Sequence, residues 1–271
     1  MRRRALLATT GSVIGGSLTG CVGGIFGADE TESFDESYDV TDGSVLTVTN
    51  RNGDVTVRET GAEQLTVSGE KRAGTESGLA AISVDVETGE QTSVGTQLGS
   101  GSSFSNRSVE LVVDVPTGMT VETVSSANGD VTVEEVSGDV SAVSSNGDVE
   151  VRDVDGYARC ESTNGDVRAR GTTGLRGART SNGTVDVEVL AMRDDVTCRS
   201  TNGSVTVRVG PDVAAAISLT TSNGDAAVRD LPHTTSISRP SQIEGQLRGG
   251  TAPQQTLESI NRDETLRPAE N

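Results

Sequence analysis

Asn128, Asn146, Asn164 and Asn182 stand 18 residues apart, Asn202 and Asn223 follow at intervals of 20 and 21, and each of the six precedes a glycine. In the regular part Gly129, Gly138, Gly147, Gly156, Gly165, Gly174 and Gly183 fall every nine residues. Self-similarity at so short a period marks a stacked repeat, with two strand-plus-turn halves in each copy. Aligning the copies on Asn separates two faces. Four residues before it lie Val124, Ala142, Cys160, Ala178, Cys198 and Leu219, and three after it lie Val131, Val149, Val167, Val185, Val205 and Ala226. Ser126, Ser144, Ser162, Thr180, Ser200 and Thr221 occupy the second position before Asn, on the same face. This period of two is that of a strand. Strands so short cannot bury a face alone, whereas coils stacked about 4.8 Å apart pair every backbone group with the coil above and below. The pattern predicts an all-β chain, a single-stranded parallel β-helix or β-solenoid with coils of about 18 residues.

Asn-Gly alone is a hairpin signal, but repetition makes it a corner. The structural turn pairs are Asn128-Gly129, Asn146-Gly147, Asn164-Gly165, Asn182-Gly183, Asn202-Gly203 and Asn223-Gly224. Asn can take positive φ or join a ladder of stacked amides, and Gly removes a Cβ that would clash.

On the opposite face Glu150, Arg168 and Asp186 predict a ladder of alternating charge, worth about 0.2–1 kcal/mol per pair. Earlier, Leu46, Val48, Asn50, Asn52-Gly53-Asp54, Val55 and Val57 fit one more coil, and 65–67, 82–86 and 109–115 alternate as strands. Residues 88–107, rich in Gly, Ser and Gln, read as a loop projecting from the stack. Leu257, Ser259 and Asn261 match the template, with Arg262 in place of Gly, as a degenerate closing coil. Residues 267–271 read as a tail, and the solenoid as 44–266.

The N-terminus has the grammar of export. Arg2-Arg3-Arg4 precede a short apolar stretch ending in Leu18-Thr19-Gly20-Cys21. Residues 1–20 thus read as a twin-arginine-like signal peptide, although the hydroxyl residue and Phe usual in that motif are missing. Residues 18–21 resemble a lipobox, which makes Cys21 the lipidation site, and 21–43 read as a polar tether. The expected location is the outer face of the cell membrane. Cleavage would remove three positive charges and take the net charge from −18 to −21. With 40 acidic residues against one lysine and twenty-one arginines, the net charge repels nucleic acid, which is not an expected partner. Such a composition also suits a halophile, whose concentrated salt screens carboxylate repulsion.

The stretch 113–151, VDVPTGMTVETVSSANGDVTVEEVSGDVSAVSSNGDVEV, resembles the DUF4097 family of adhesin-like β-strand-repeat proteins, with its VP-x-G entry followed by S-x-N-G-D-V-x-V units. The resemblance spans about Ser44 to Leu266 and has the flavour of a haloarchaeal lipoprotein. It implies a β-helix-like fold, right-handed coils, an envelope location and an adhesive or scaffolding role, and it keeps envelope-stress sensing open.

Chemistry-bearing motifs are few. An 18-residue period resembles the calcium-binding β-roll, which makes Asp130, Asp148 and Asp166 candidate calcium ligands. That column continues as Thr184 and Ser204 before Asp225, so a structural turn is the stronger reading. Cys160 and Cys198 share a core column two coils apart, about 9–10 Å, which is too far for a disulfide. His233 is the single histidine, so neither a histidine metal cluster nor a Ser-His-Asp arrangement can be assembled. No cofactor motif is present. Aromatic platforms for sugars are scarce, with 3 Phe, 2 Tyr and no Trp. Among the sequons at Asn106, Asn182 and Asn202, Asn106 is the glycosylation candidate because the other two are turn residues. The sequence thus predicts a non-enzymatic, lipid-anchored envelope module that binds a protein or glycan partner, with a calcium-dependent module as alternative and a polysaccharide-acting enzyme behind both.

Overall fold

The computed structural model describes residues 29–99, 106–249, 254–259 and 263–269. The signal peptide, the lipobox, Cys21 and the Asn261-Arg262 pair lie outside the described residues. What is described is mostly strand, with one four-residue helix at Glu76–Leu79, and the strands form two long and mainly parallel sheets.

Each coil contributes one strand to each sheet. The first sheet runs, in spatial order, Glu30–Tyr38, Leu65–Ala73, Arg107–Pro116, Val55–Thr60, Val131–Glu134, Val149–Arg152, Val167–Arg170, Val185–Val189, Val205–Val209, Glu264–Pro268, Ala226–Val228. The second runs His233–Arg239, Gln242–Leu247, Ala215–Thr221, Gln254–Ser259, Val196–Asn202, Gly174–Asn182, Tyr157–Asn164, Ser141–Asn146, Thr120–Asn128, Val45–Asn50, Gln91–Gln97, Ser83–Glu87. In the middle the register is that of the repeat: Ala142 lies between Val124 and Cys160, and Val149 between Val131 and Val167. The inward columns form one continuous core in which Val131, Val149, Val167, Val185 and Val205 are all fully buried. Valine suits this task because its branched Cβ packs well on a pleated surface and loses little further freedom in a strand.

Chain order and stacking order part at both ends. The coil 45–60 comes first in the chain but lies second in the stack, between the strands 91–97 and 107–116 on one side and the coil 120–134 on the other. The segment 254–268 mirrors this. It does not close the stack, as the template match suggested, but inserts between the coils 196–209 and 215–228. Its register obeys the template, with Leu257 paired in the backbone to Cys198 and to Leu219.

Three further expectations need correction. Within the tether, Glu30–Tyr38 is a strand, antiparallel to Leu65–Ala73 over nine residues. Its charged sequence alternates weakly, and pairing with a neighbour rather than propensity makes it a strand. Within the loop 88–107, Gln91–Gln97 is a strand parallel to Val45–Asn50, with Thr92, Val94 and Thr96 buried. Thr fits a pleated surface as Val does, so the polar composition hid an inward column. The tail begins later than expected, since Arg267 and Pro268 still pair with Arg208 and Val209.

Candidate functional site

The repeated Asn-Gly-Asp corner is the one motif dense enough in polar atoms to be a site. Four sets of hydrogen bonds recur there from coil to coil. The Asn side chains form an amide ladder in which each Nδ2 donates to the Oδ1 of the preceding Asn, from Asn146 to Asn128 (2.9 Å), Asn164 to Asn146 (2.8 Å), Asn182 to Asn164 (2.7 Å) and Asn202 to Asn182 (2.8 Å). The buried hydroxyls of Ser126, Ser144, Ser162, Thr180 and Ser200 donate to the carbonyls of Gly53, Gly129, Gly147, Gly165 and Gly183 at 2.7–2.9 Å. The glycine amides donate onward to the next Asn carbonyl, as from Gly147 to Asn164 (3.0 Å).

The aspartates complete the set. Asp54, Asp130, Asp148 and Asp166 each accept on Oδ1 the backbone amide of the next coil, from Asp130, Asp148, Asp166 and Thr184 respectively, at 2.7–2.8 Å. An aspartate therefore clamps the coil above it. The column can end in Thr184 because that residue is only the last recipient. Asp263 repeats the clamp toward the amide of Asp225 (3.1 Å), a member that the spacing from Asn261 predicts but that sequence reasoning passed over. The second oxygens of Asp148 and Asp166 meet Arg168 at 3.2 and 2.6 Å. This corrects the expected straight ladder. Arg168 pairs in register with Glu150 and Asp186, yet its guanidinium reaches diagonally to the corner, while Arg170 and Arg208 take Asp186. Burial alone would raise the pKa of Asp186, but the two guanidiniums hold it below the usual carboxylate range.

The calcium candidates Asp130, Asp148 and Asp166 thus each commit one oxygen to a backbone amide. Among the described residues no group of three or more His, Cys, Asp or Glu side chains converges as a metal site.

The glycines are required by close approach. A Cβ on Gly129, Gly147, Gly165, Gly183 or Gly203 would come within 3.0 Å of the carbonyl of the glycine one coil earlier, a separation that real Cβ atoms do not show.

Cys160 and Cys198 are free, fully buried and separated in register by Ala178. Burial pushes both thiols up to about 12, which leaves them as inert apolar groups at neutral pH. Asn106 is exposed and precedes the strand Arg107–Pro116, beside a polar cleft of about 260 Å³ lined by Asp29, Asn52, Arg72, Asn106, Arg107 and Ser108. The sequon asparagines Asn182 and Asn202 sit in the amide ladder.

The opposite corner holds a cluster that no motif announced. Arg193 donates to both oxygens of Asp139 (2.8 and 3.1 Å) and lies 3.6 Å over the Tyr157 ring. Asp139 also accepts the Tyr157 amide at 2.9 Å. The available signal was the interval of 20 between Asn182 and Asn202, whose two additional residues lengthen the turn 190–195.

No curated protein matches the chain. Similar solved structures include a "putative cell adhesion protein" from Clostridium sporogenes, 10% identical, with 89% of this chain and 100% of that chain covered and a TM-score of 0.39. Another is a "putative adhesin" from Bacteroides fragilis, 12% identical, 88% and 97% covered, TM-score 0.38. A third is a "putative lipid binding protein" from Parabacteroides distasonis, 12% identical, 90% and 98% covered, TM-score 0.37. The Toastrack DUF4097 family model matches residues 44–158 and again 124–248, as a stack of repeats would when read in two registers. The chain belongs to the Toastrack DUF4097 family.

Proposed function

We propose that this protein is a non-enzymatic envelope module: exported, cleaved before Cys21, lipid-anchored there, and used as an adhesin-like or scaffolding surface. In this reading the stack is a right-handed solenoid of 18-residue coils, and its partner is a protein or glycan at the cell surface. The supporting observation is the internal commitment of the corner chemistry. Asn, Ser and Gly bond to neighbouring coils and each Asp commits one oxygen to the next, as structural turns do, so the motif makes the stack rigid and leaves recognition to the two outward sheet faces. A rigid face loses little conformational entropy on binding, which favours a role as a presenting surface.

The test is made on cells. Mass spectrometry of the mature protein should find a lipid-modified Cys21 as first residue, and Cys21→Ser should release the protein into the medium. Photo-crosslinkers placed at outward positions such as Glu150 and Arg159 should then capture an envelope component from intact cells. An unmodified N-terminus on protein retained inside the cell would overturn the reading.

A further inference from the structure

The outer faces of the two sheets carry their arginines on different terms. On the first sheet Arg58, Arg152, Arg168 and Arg170 each meet a carboxylate at 2.6–3.0 Å, and Arg208 is paired with Asp186. On the second, Arg159, Arg176, Arg179 and Arg199 are exposed on three successive strands, Tyr157–Asn164, Gly174–Asn182 and Val196–Asn202. Glu161 is the one acidic residue of those strands, and Arg159 engages it at 2.6 Å. Four guanidiniums against one carboxylate give three net positive charges, on a chain whose net charge is −18. Carboxylates resume only at the margins, with Asp194 and Asp195 in the turn 190–195 and Glu258 in backbone register with Arg199.

A bulge builds the centre of this patch. Leu175 and Ala178 are both buried although they stand three apart, which strict alternation does not allow. The register shift at Ala158/Arg159 resolves the parity: Leu175 pairs with Ala158 and Gly177 with Arg159, so Arg176 is the additional residue and turns outward like Arg179. Gly177 has no side chain, which leaves a gap beside Arg159 flanked by Arg176 and Arg179. Arg179 in turn lies in register with Arg199, and like charges abreast on neighbouring strands are destabilising. Neither Arg176 nor Arg179 is in an ion pair with a described residue; Arg176 only lies near enough to Asp139 to help hold that carboxyl below its ordinary value.

The geometry points to an anion-binding face on the second sheet, centred on Arg176 and Arg179, that takes an acidic polysaccharide through its carboxylate or sulfate groups. Guanidinium forks bind such groups bidentately. These strands expose no large hydrophobic side chain, which a protein hot spot or a membrane-lying surface would need. Recognition through charge also suits a chain that is poor in aromatic platforms for sugars. The remaining acidic surface repels a polyanion at long range, but salt screens that repulsion beyond about 8 Å while contact pairs persist. DNA, with one charge per about 1.7 Å, is repelled most. The assignment rests on the presenting role proposed above, yet the two fail separately. An unmodified Cys21 would remove the anchor and leave glycan binding standing, and loss of glycan binding would leave the anchor standing.

The experiment titrates the full-length protein on surfaces of polygalacturonate, dextran sulfate and uncharged dextran. One or both of the charged glycans should bind, which tells carboxylate from sulfate, and uncharged dextran should not; the affinity should fall as salt rises. Arg176→Gln with Arg179→Gln should weaken that binding about tenfold or more while leaving Tm unchanged, because both side chains are exposed. Arg176→Lys with Arg179→Lys keeps the charge but loses the forked donors, and should bind between the two. Arg58→Gln with Arg152→Gln removes the same charge from the first sheet and should leave the affinity unchanged. Equal losses from the two glutamine pairs, no binding to either charged glycan, or stronger binding to polyglutamate, anionic lipid vesicles or DNA would overturn the proposal.

Discussion

The two corners of a coil are built on different terms. At the Asn-Gly-Asp corner the same amide ladder, hydroxyl bond, glycine contact and aspartate clamp recur along the stack. At the opposite corner fewer terms repeat: a buried residue at Val136, Val154 and Thr172, a left-handed residue at Glu135, Asp153 and Gly171 (φ 54°, 51° and 64°), the close contact of Gly156 with the Gly138 carbonyl, and one clamp from Asp139 to the Tyr157 amide. The first corner sets the register, because each of its bonds exists only if the next coil sits one repeat away. The second absorbs variation, and the longer turn 190–195 is found there.

Glycine substitutions should separate the two corners most widely. Gly147→Ala forces a Cβ against the Gly129 carbonyl, which is fixed backbone. It should cost about 4 kcal/mol or more, or prevent folding. Gly171→Ala also meets an atom under 3.0 Å away, but that atom is Oδ1 of Asp153, which can turn aside. Its cost should be about 1 kcal/mol, the ordinary penalty for a left-handed alanine. Denaturant midpoints of the two variants measure the contrast, and equal losses would erase the distinction between the corners.

Next in size is Ser162→Ala, which strips the Gly147 carbonyl of the hydroxyl donor that the buried Ser162 supplies (2.8 Å). About 1–2 kcal/mol should be lost by chemical denaturation, with no change in far-ultraviolet circular dichroism. A smaller effect, about 1 kcal/mol because the site is exposed, is expected for Asn164→Asp. This removes the donor to Asn146 and sets a charge within the ladder while retaining the acceptor for Asn182. Its loss should diminish as the pH falls through the carboxyl range and the new group becomes neutral. A loss that persists unchanged in acid would mean that shape, not donor pattern, governs the ladder.

The sequence made legible what is local and repeated. The core columns, the corner pairs and the two-coil separation of Cys160 from Cys198 all follow from a fixed period, because stacking turns sequence spacing into spatial register. What escaped depends on non-local choices. Leu257 announces a coil, but nothing in the template says between which two coils it inserts, since every coil presents the same edge. Glu30–Tyr38 is made a strand by Leu65–Ala73. The diagonal reach of Arg168 depends on a flexible side chain that can pass over its in-register partners to the corner carboxylates.

The smallest effect is expected at the variable corner, from Arg193→Ala. Arg193 is exposed, so removing it should lower Tm by less than Ser162→Ala does, and the measurement that reveals it is a pH series. Burial alone would raise the pKa of Asp139, but the Tyr157 amide and the Arg193 guanidinium more than offset it and hold the carboxyl below its ordinary value. A carboxyl with a lowered folded pKa contributes stability above its unfolded value, about 3.9, and loses it as the pH falls through the folded one. The gap in Tm between wild type and Arg193→Ala should therefore be open at pH 6 and close in acid, as the pH falls past the unfolded value and through the lowered folded one. Asp139→Asn should narrow the same gap at pH 6, because the cation over Tyr157 then keeps only its ring contact. A gap that ignores both pH and Asp139 would assign Arg193 to packing alone, and the variable corner would then lack the ion pair that ties its longer turn to the neighbouring coils.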